Sequence, residues 1–305
     1  MARKRVRLAA VFALVALIVL LVSVSSSMLA RPAPAGTFAT APYTVTIRHN
    51  IAYGPLPKED LDLCTPQHAR GPLPGVVFFH GGAWQFGDKA TFDSYCLYLA
   101  SRGLVAATVN YRLAPAALWP AQLVDAQLAV RYLRAHAPAL NLAPAHLCAF
   151  GESAGGHLAV FLGALATIHP GDEAALYANE SPQVSCVADE FGPVDLTAPM
   201  PMLTHLNTFT TLFGGATLAS DPAVYRDASP LFDISSQTAP MLIIQGTRDG
   251  TVPPQQSLAL AAALRRAGVS ALYLSYDGDH ALIGLSKAQQ DALLARIGNW
   301  LLSEA

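Results

Sequence analysis

The pentapeptide Gly151-Glu152-Ser153-Ala154-Gly155 constrains this chain more than any other feature, because of what stands on either side of it. Residues 145–150 read as a short buried strand, and residues 156–162 as the first turns of a helix rich in small side chains. A serine on so tight a strand-to-helix turn is held in a strained backbone conformation, with its hydroxyl exposed above the sheet. Glycines flank it because a Cβ there would collide with the neighbouring strand or helix. The pattern implies a sheet beneath and a nucleophile at its carboxyl edge. Five residues recur by chance in unrelated chains, so the implication stands only if the partners such a hydroxyl needs follow in the right order.

Along the body of the chain, apolar runs alternate with helical periodicity. Residues 44–48 and 61–64 read as the first, antiparallel strands; 75–80, 104–110, 184–191, 241–246 and 271–276 read as further strands. Helical patterns occupy 88–102, 122–137, 255–267 and 285–302. The run Gly75-Val76-Val77-Phe78-Phe79 is apolar without alternation, as in a strand buried on both faces. Strands alternating with helices predict an α/β architecture, a mostly parallel central sheet of about eight strands covered on both sides. The alternation breaks over residues 193–239, rich in proline, threonine and methionine. So long an interruption after the sixth strand is expected to form a small cap over the catalytic edge. No internal repeat and no second domain is legible; residues 40–305 read as one catalytic domain.

Acyl transfer by a serine needs a base to take its proton, an acid to orient that base, and N–H groups where negative charge develops. On a strand-turn-helix scaffold of this kind, the acid follows the serine and the base comes last. His280, in Gly278-Asp279-His280-Ala281 after the last strand, is the candidate base. His146 and His157 flank the serine within the strand and helix, where packing explains them; His49, His68, His136, His169 and His205 sit in loops or at helix ends. Asp249 is the candidate acid, because the strand at 241–246 runs directly into Thr247-Arg248-Asp249-Gly250. Asp277, Asp279 and Asp195 are its rivals. After the third strand, His80-Gly81-Gly82-Ala83-Trp84 offers the N–H of Gly81 or Gly82 to join that of Ala154 around one oxygen. Trp84 is equally suited to line a substrate pocket or to pack under the cap.

Composition limits the partners. Charged residues make up 13% of the chain, the net charge is −2, and the body carries no basic stripe, which argues against nucleic acid. No HExxH or CxxC pattern is present, and the chemistry above calls for neither a metal nor an organic cofactor. At the amino terminus Arg3, Lys4, Arg5 and Arg7 precede an unbroken apolar run over residues 8–22, and Ala33-Pro34-Ala35 offers a cleavage site. Residues 1–35 therefore read as a signal peptide or an uncleaved membrane anchor, with the body exported in either case. Export permits disulfides, and Cys64 with Cys96 is the candidate staple. Cys148 and Cys186, on core strands, read instead as small buried hydrophobes.

Taken together, these segments resemble the α/β-hydrolase esterases related to hormone-sensitive lipase, and within that group the bacterial feruloyl-esterase-like acyl hydrolases. The resemblance is carried by His80 to Trp84 with Gly87-Asp88-Lys89, by Asn110-Tyr111-Arg112-Leu113-Ala114-Pro115, and by Trp119-Pro120-Ala121-Gln122 with Asp125. The serine pentapeptide, Phe191-Gly192-Pro193-Val194-Asp195-Leu196, residues 246–253 and His280 complete it. It implies a cofactor-free carboxylic ester hydrolase acting on a small-molecule ester. Ser153 would be nucleophile, Asp249 acid and His280 base, with oxyanion donors from Gly81, Gly82 and Ala154, while Tyr111 and Arg112 would brace the active-site loops. Ala83 stands where those relatives usually have a third glycine, Ala116 where they have an acid, and Glu152 where they often carry aspartate. These departures leave the substrate open. Formamidases and oligopeptidases share the scaffold, so an amide-directed hydrolase is the alternative; a catalytically idle binding protein is a second.

Overall fold

Val76, Val77, Phe78 and Phe79 are consecutive and each has 0% of its surface exposed, so helices must cover both faces of their strand. The structure, a computed structural model, describes residues 43–164 and 176–304 and shows that arrangement. Its strands are β1 (Val45–Ala52), β2 (Asp60–Pro66), β3 (Leu73–Phe79), β4 (Val105–Val109), β5 (Leu142–Glu152), β6 (Val187–Glu190), β7 (Met241–Gly246) and β8 (Ala271–Tyr276). They form one eight-stranded sheet in the order β1-β2-β4-β3-β5-β6-β7-β8. β2 runs antiparallel to both β1 and β4, and every pairing from β4 onward is parallel.

Period two assigns the side chains to faces. Val77, Phe79, Ala149, Val187 and Ile243 meet the helices α2 (Ala121–Ala135), α3 (Ala154–Ala164) and α4 (Gln255–Ala267) through Leu123, Leu158 and Leu260. The alternate residues Val76, Phe78, Phe150, Ala188 and Leu242 face α1 (Asp93–Ser101) and α5 (Lys287–Glu304), meeting Leu99, Ile297 and Leu301. Phe78 sits between Phe92 and Phe150, with ring centroids 5.0 and 5.2 Å away. Truncating one such ring to alanine typically costs about 3–5 kcal/mol.

Element boundaries follow local chemistry. The helix expected over residues 88–102 is split: Asp88 accepts the Ala90 N–H and starts a 3₁₀ turn, Lys89–Phe92, before α1 begins. α4 ends at Gly268, whose φ of 75° is a left-handed stop. Between β6 and β7 the irregular stretch forms three short helices, Pro201–His205, Thr208–Leu212 and Pro222–Asp227, and a 3₁₀ turn, Pro230–Asp233. They pack on the α2–α3 side: the Trp119 N–H donates to Leu212 O at 3.1 Å, and Phe209 lies against Trp84. The signal or anchor segment expected over residues 1–35 lies outside the described residues. Among those described, no helix is long and apolar enough to cross a membrane.

Both cysteine pairs are disulfides. Cys64 joins Cys96 from β2 to α1. The second bridge, Cys148–Cys186, corrects the expectation that these residues are unpaired small hydrophobes. Register is the reason. β5 pairs Ala149 with Val187, so Cys148 and Cys186 are cross-strand neighbours pointing to the same face, with Cα atoms 4.6 Å apart. Replacing both Cys148 and Cys186 by alanine is expected to lower the unfolding free energy by about 3–4 kcal/mol in a urea titration, because the bridge closes a long loop. A change below about 1 kcal/mol would show that the bridge carries little of the stability.

Candidate active site

Ser153 is the single residue between the end of β5 and the start of α3, and its φ is 52°. Such left-handed backbone costs a non-glycine residue about 1–3 kcal/mol and persists only where its surroundings impose it. Here they do. A Cβ on Gly155 would lie 1.8 Å from Phe79 O, and one on Gly151 would lie 2.1 Å from Gly155 O, so the helix starts hard against the strand ends. The Ser153 N–H donates to Glu190 O at 2.8 Å, and its carbonyl accepts the His157 N–H at 3.0 Å.

The loops after β7 and β8 bring two further side chains to this hydroxyl. His280 Nε2 lies 2.9 Å from Ser153 Oγ, and His280 Nδ1 lies 2.7 Å from Asp249 Oδ2. A carboxylate only accepts, so the imidazole proton sits on Nδ1 and Nε2 is left to accept from the serine. Asp249 is fixed in turn: Oδ1 accepts the N–H groups of Thr251 and Val252 at 2.9 and 2.8 Å, and Oδ2 accepts Gln245 Nε2 at 3.1 Å. The Phe191 ring lies 4.6 Å from the imidazole, centroid to centroid.

The rival acids are engaged elsewhere. Asp279 accepts the N–H groups of Gly250 and His280, Asp277 pairs with Arg248 in solvent, and Asp195 accepts the N–H and hydroxyl of Thr197. His157 is wholly buried, bonded to Ala228 O and Trp84 Nε1, and burial pushes its pKa down to about 4. His146 is exposed, and His169 lies outside the described residues.

Of the expected oxyanion donors, Ala154 is the first residue of α3, so its N–H has no partner within the helix. Gly82 has φ 111°, and a Cβ there would strike Phe86 O at 2.2 Å. Gly81 differs: its N–H faces Glu152 Oε1 at 3.4 Å. Trp84 is 1% exposed and packs edge-on against His157 beneath the stretch between β6 and β7, so it lines no open pocket. Tyr111 donates its hydroxyl to His80 O at 2.7 Å, while Arg112 binds Asp125 through Nε at 2.9 Å and Nη2 at 2.5 Å. Both residues hold the loops from behind.

Over residues 61–264 the chain matches the family BD-FAE. The chain belongs to that family. Esterase LipC of Mycobacterium tuberculosis is 29% identical over 237 residues, which is 76% of this chain and 58% of LipC. The chain thus spans less than two thirds of that relative's length. A truncated carbohydrate esterase from gut microbiota shares the fold with a TM-score of 0.76 at 27% identity, covering 87% of this chain and 98% of that one. Esterase 2 of Thermogutta terrifontis gives a TM-score of 0.69 at 25% identity, covering 87% and 93%. That esterase has been solved with propionate bound, with butyrate bound, and phosphonylated by sarin.

In this BD-FAE member an acid cluster lies behind the serine that the sequence reading does not single out. Glu152 and Glu190 are cross-strand partners, with Asp189 beside them. Burial raises the pKa of Glu152, pushes Asp189 up to about 8, and takes Glu190 well above the ordinary range, helped by its acidic neighbours. Asp189 Oδ2 and Glu190 Oε1 have no hydrogen-bond partner among the described residues, in keeping with protonated acids. A polar side chain ending an apolar strand, as in Val187-Ala188-Asp189-Glu190 or in Met241-Leu242-Ile243-Ile244-Gln245, is the one sequence signal that marks such residues.

Asp189 therefore holds its proton in the folded protein from about pH 4 to about pH 8, while the unfolded chain has lost it. The folded state binds more protons across that window, so this group makes stability fall as pH rises. Asp189→Asn mimics the protonated acid and keeps an acceptor for the Gly192 N–H. It is expected to reduce the decline in Tm between pH 5 and pH 8; an unchanged slope would show that Asp189 is ionised throughout.

Proposed function

We propose that this chain is a serine hydrolase of carboxylic esters, with Ser153 as nucleophile, His280 as base and Asp249 as its orienting acid. The observation that carries the reading is the chain of contacts from Ser153 Oγ to His280 Nε2 at 2.9 Å and from His280 Nδ1 to Asp249 Oδ2 at 2.7 Å. In the first half-reaction His280 removes the serine proton as Oγ attacks the ester carbonyl. The tetrahedral oxyanion accepts from Gly82 N–H, in the loop after β3, and from Ala154 N–H, at the start of α3. Collapse breaks the carbon–oxygen bond to the alcohol, and His280 returns the proton to that leaving oxygen. Water, deprotonated by the same imidazole, then attacks the acyl-serine and releases the carboxylic acid. Asp249 accepts the Nδ1–H and so stabilises the imidazolium.

The substrate class we infer is an ester of a short acyl group. Its support is the likeness to an esterase solved with propionate and with butyrate, and to a carbohydrate esterase. We further place the body in an oxidising compartment after export. The two disulfides support that reading, as does the cationic and apolar layout of the first residues.

Purified protein is expected to hydrolyse p-nitrophenyl acetate, propionate and butyrate in preference to aryl formamides and short peptides. Ser153→Ala should reduce kcat by about 10⁴-fold or more, with little change in thermal stability, and Asp249→Asn should reduce kcat by about 10⁴-fold. Turnover of amides alone, or full activity in Ser153→Ala, would contradict the assignment.

A further inference from the structure

Gly81 is gripped on two sides, through its carbonyl oxygen and through its N–H. Gly81 O lies 2.7 Å from His80 Nδ1, which must donate to it, because a carbonyl only accepts. In a trans peptide the C=O and N–H point in opposite directions. With Gly81 O pinned against the imidazole, the Gly82 N–H of that peptide is directed away from His80. The imidazole is itself immobile: it is 1% exposed, stacks on the Tyr111 ring at 4.3 Å, and leaves no room for a Cβ on Gly87, which would lie 2.3 Å from Nδ1.

On the other side stands Glu152. Its Oε1 takes the Gly81 N–H at 3.4 Å, and a Cβ on Gly81 would touch Glu152 O, Oε1 and Cγ at 3.2, 3.2 and 3.3 Å. Glu152 is also the last residue of β5, two residues before Ala154. One residue therefore links the segments that carry the two N–H groups, which otherwise belong to the loop after β3 and to the start of α3. A misplacement of about 1 Å in such a constellation can cost about a hundredfold in rate.

We propose that Glu152 is a positioning residue for the oxyanion site: its side-chain oxygen, through the Gly81 N–H, holds the loop after β3 in register with Ala154 while His80 aims the peptide. The proposal rests on the reading of Gly82 and Ala154 as oxyanion donors. It predicts that what matters at this position is a hydrogen-bond acceptor of the right length, beyond any effect of charge on His280.

Glu152→Gln and Glu152→Met separate the two effects, because both are neutral and of similar length and only glutamine keeps an acceptor. Glu152→Gln is expected to lower kcat by no more than about threefold, and Glu152→Met by about 30-fold further, with KM within about twofold, since the lost interaction acts in the transition state. Affinity for an alkyl trifluoromethyl ketone, which forms an oxyanion on the serine, should fall by the same factor as kcat/KM. His80→Asn, which keeps a donor near the place of Nδ1, should likewise exceed His80→Leu. If His80→Leu does not fold, the Glu152 pair decides alone, because methionine fills the same space. Equal or faster turnover by Glu152→Met relative to Glu152→Gln would overturn the proposal and put the Gly81 N–H on the substrate instead. Absence of ester turnover in the unmodified protein, or its persistence in Ser153→Ala, is a separate result that refutes the hydrolase reading itself.

Discussion

The close approach of the first turn of α3 to the end of β3 governs the rest of the site. With Gly155 lying where any Cβ would strike Phe79 O, the chain leaving β5 has one residue in which to turn, and Ser153 takes the left-handed conformation this requires. The turn lifts the hydroxyl clear of the sheet and sets Ala154 N–H at the head of a helix, where no carbonyl of that helix can satisfy it. It also brings the loop after β3 alongside, which is why Gly81 and Gly82 lie within reach of residues that follow β5. Strain at one residue is thus the local consequence of tight packing across two strands and a helix.

The contacts across the site span four neighbouring strands. Ser153 follows β5, Asp249 follows β7 and His280 follows β8, all at carboxyl ends of parallel strands, where the twist gathers their loops on one rim. β6, lying between, contributes no proton acceptor to the imidazole. It supplies Glu190 O, which takes the Ser153 N–H, and it leads into Phe191, whose ring abuts His280. Behind this front the Asp249 carboxylate is saturated by two N–H groups and by Gln245, itself fixed by Ser257 Oγ at 2.7 Å. An acceptor so held has little freedom to turn away from the histidine.

Much of this is legible in the sequence because the parallel strands are uninterrupted apolar runs and the side chains of interest come just after them. Residues 241–246 announce β7 so plainly that Asp249 can be placed at a strand end, and the short loop after β8 leaves His280 little choice of location. The features that escape depend on register or orientation, which spacing does not encode. Cys148 and Cys186 look like core hydrophobes until the pairing of β5 with β6 sets them side by side. Gly81 and Gly82 are indistinguishable as letters, and only the contacts in the fold show that the Gly81 N–H is the one turned toward Glu152. Asp189 and Glu190 read as ordinary strand-end polar residues, although the sheet buries both carboxyls. Trp84 shows the same limit: a tryptophan beside a glycine loop suits a pocket wall, and here it fills the core beneath the stretch between β6 and β7.

The convergence of hydroxyl, imidazole and carboxylate is tested most directly by mapping where a fluorophosphonate attaches. Peptide mapping by mass spectrometry after brief exposure to the reagent should find a single phosphonyl group, on Ser153, formed far more slowly in His280→Ala. Attachment to another residue, or equal rates with and without the imidazole, would contradict it.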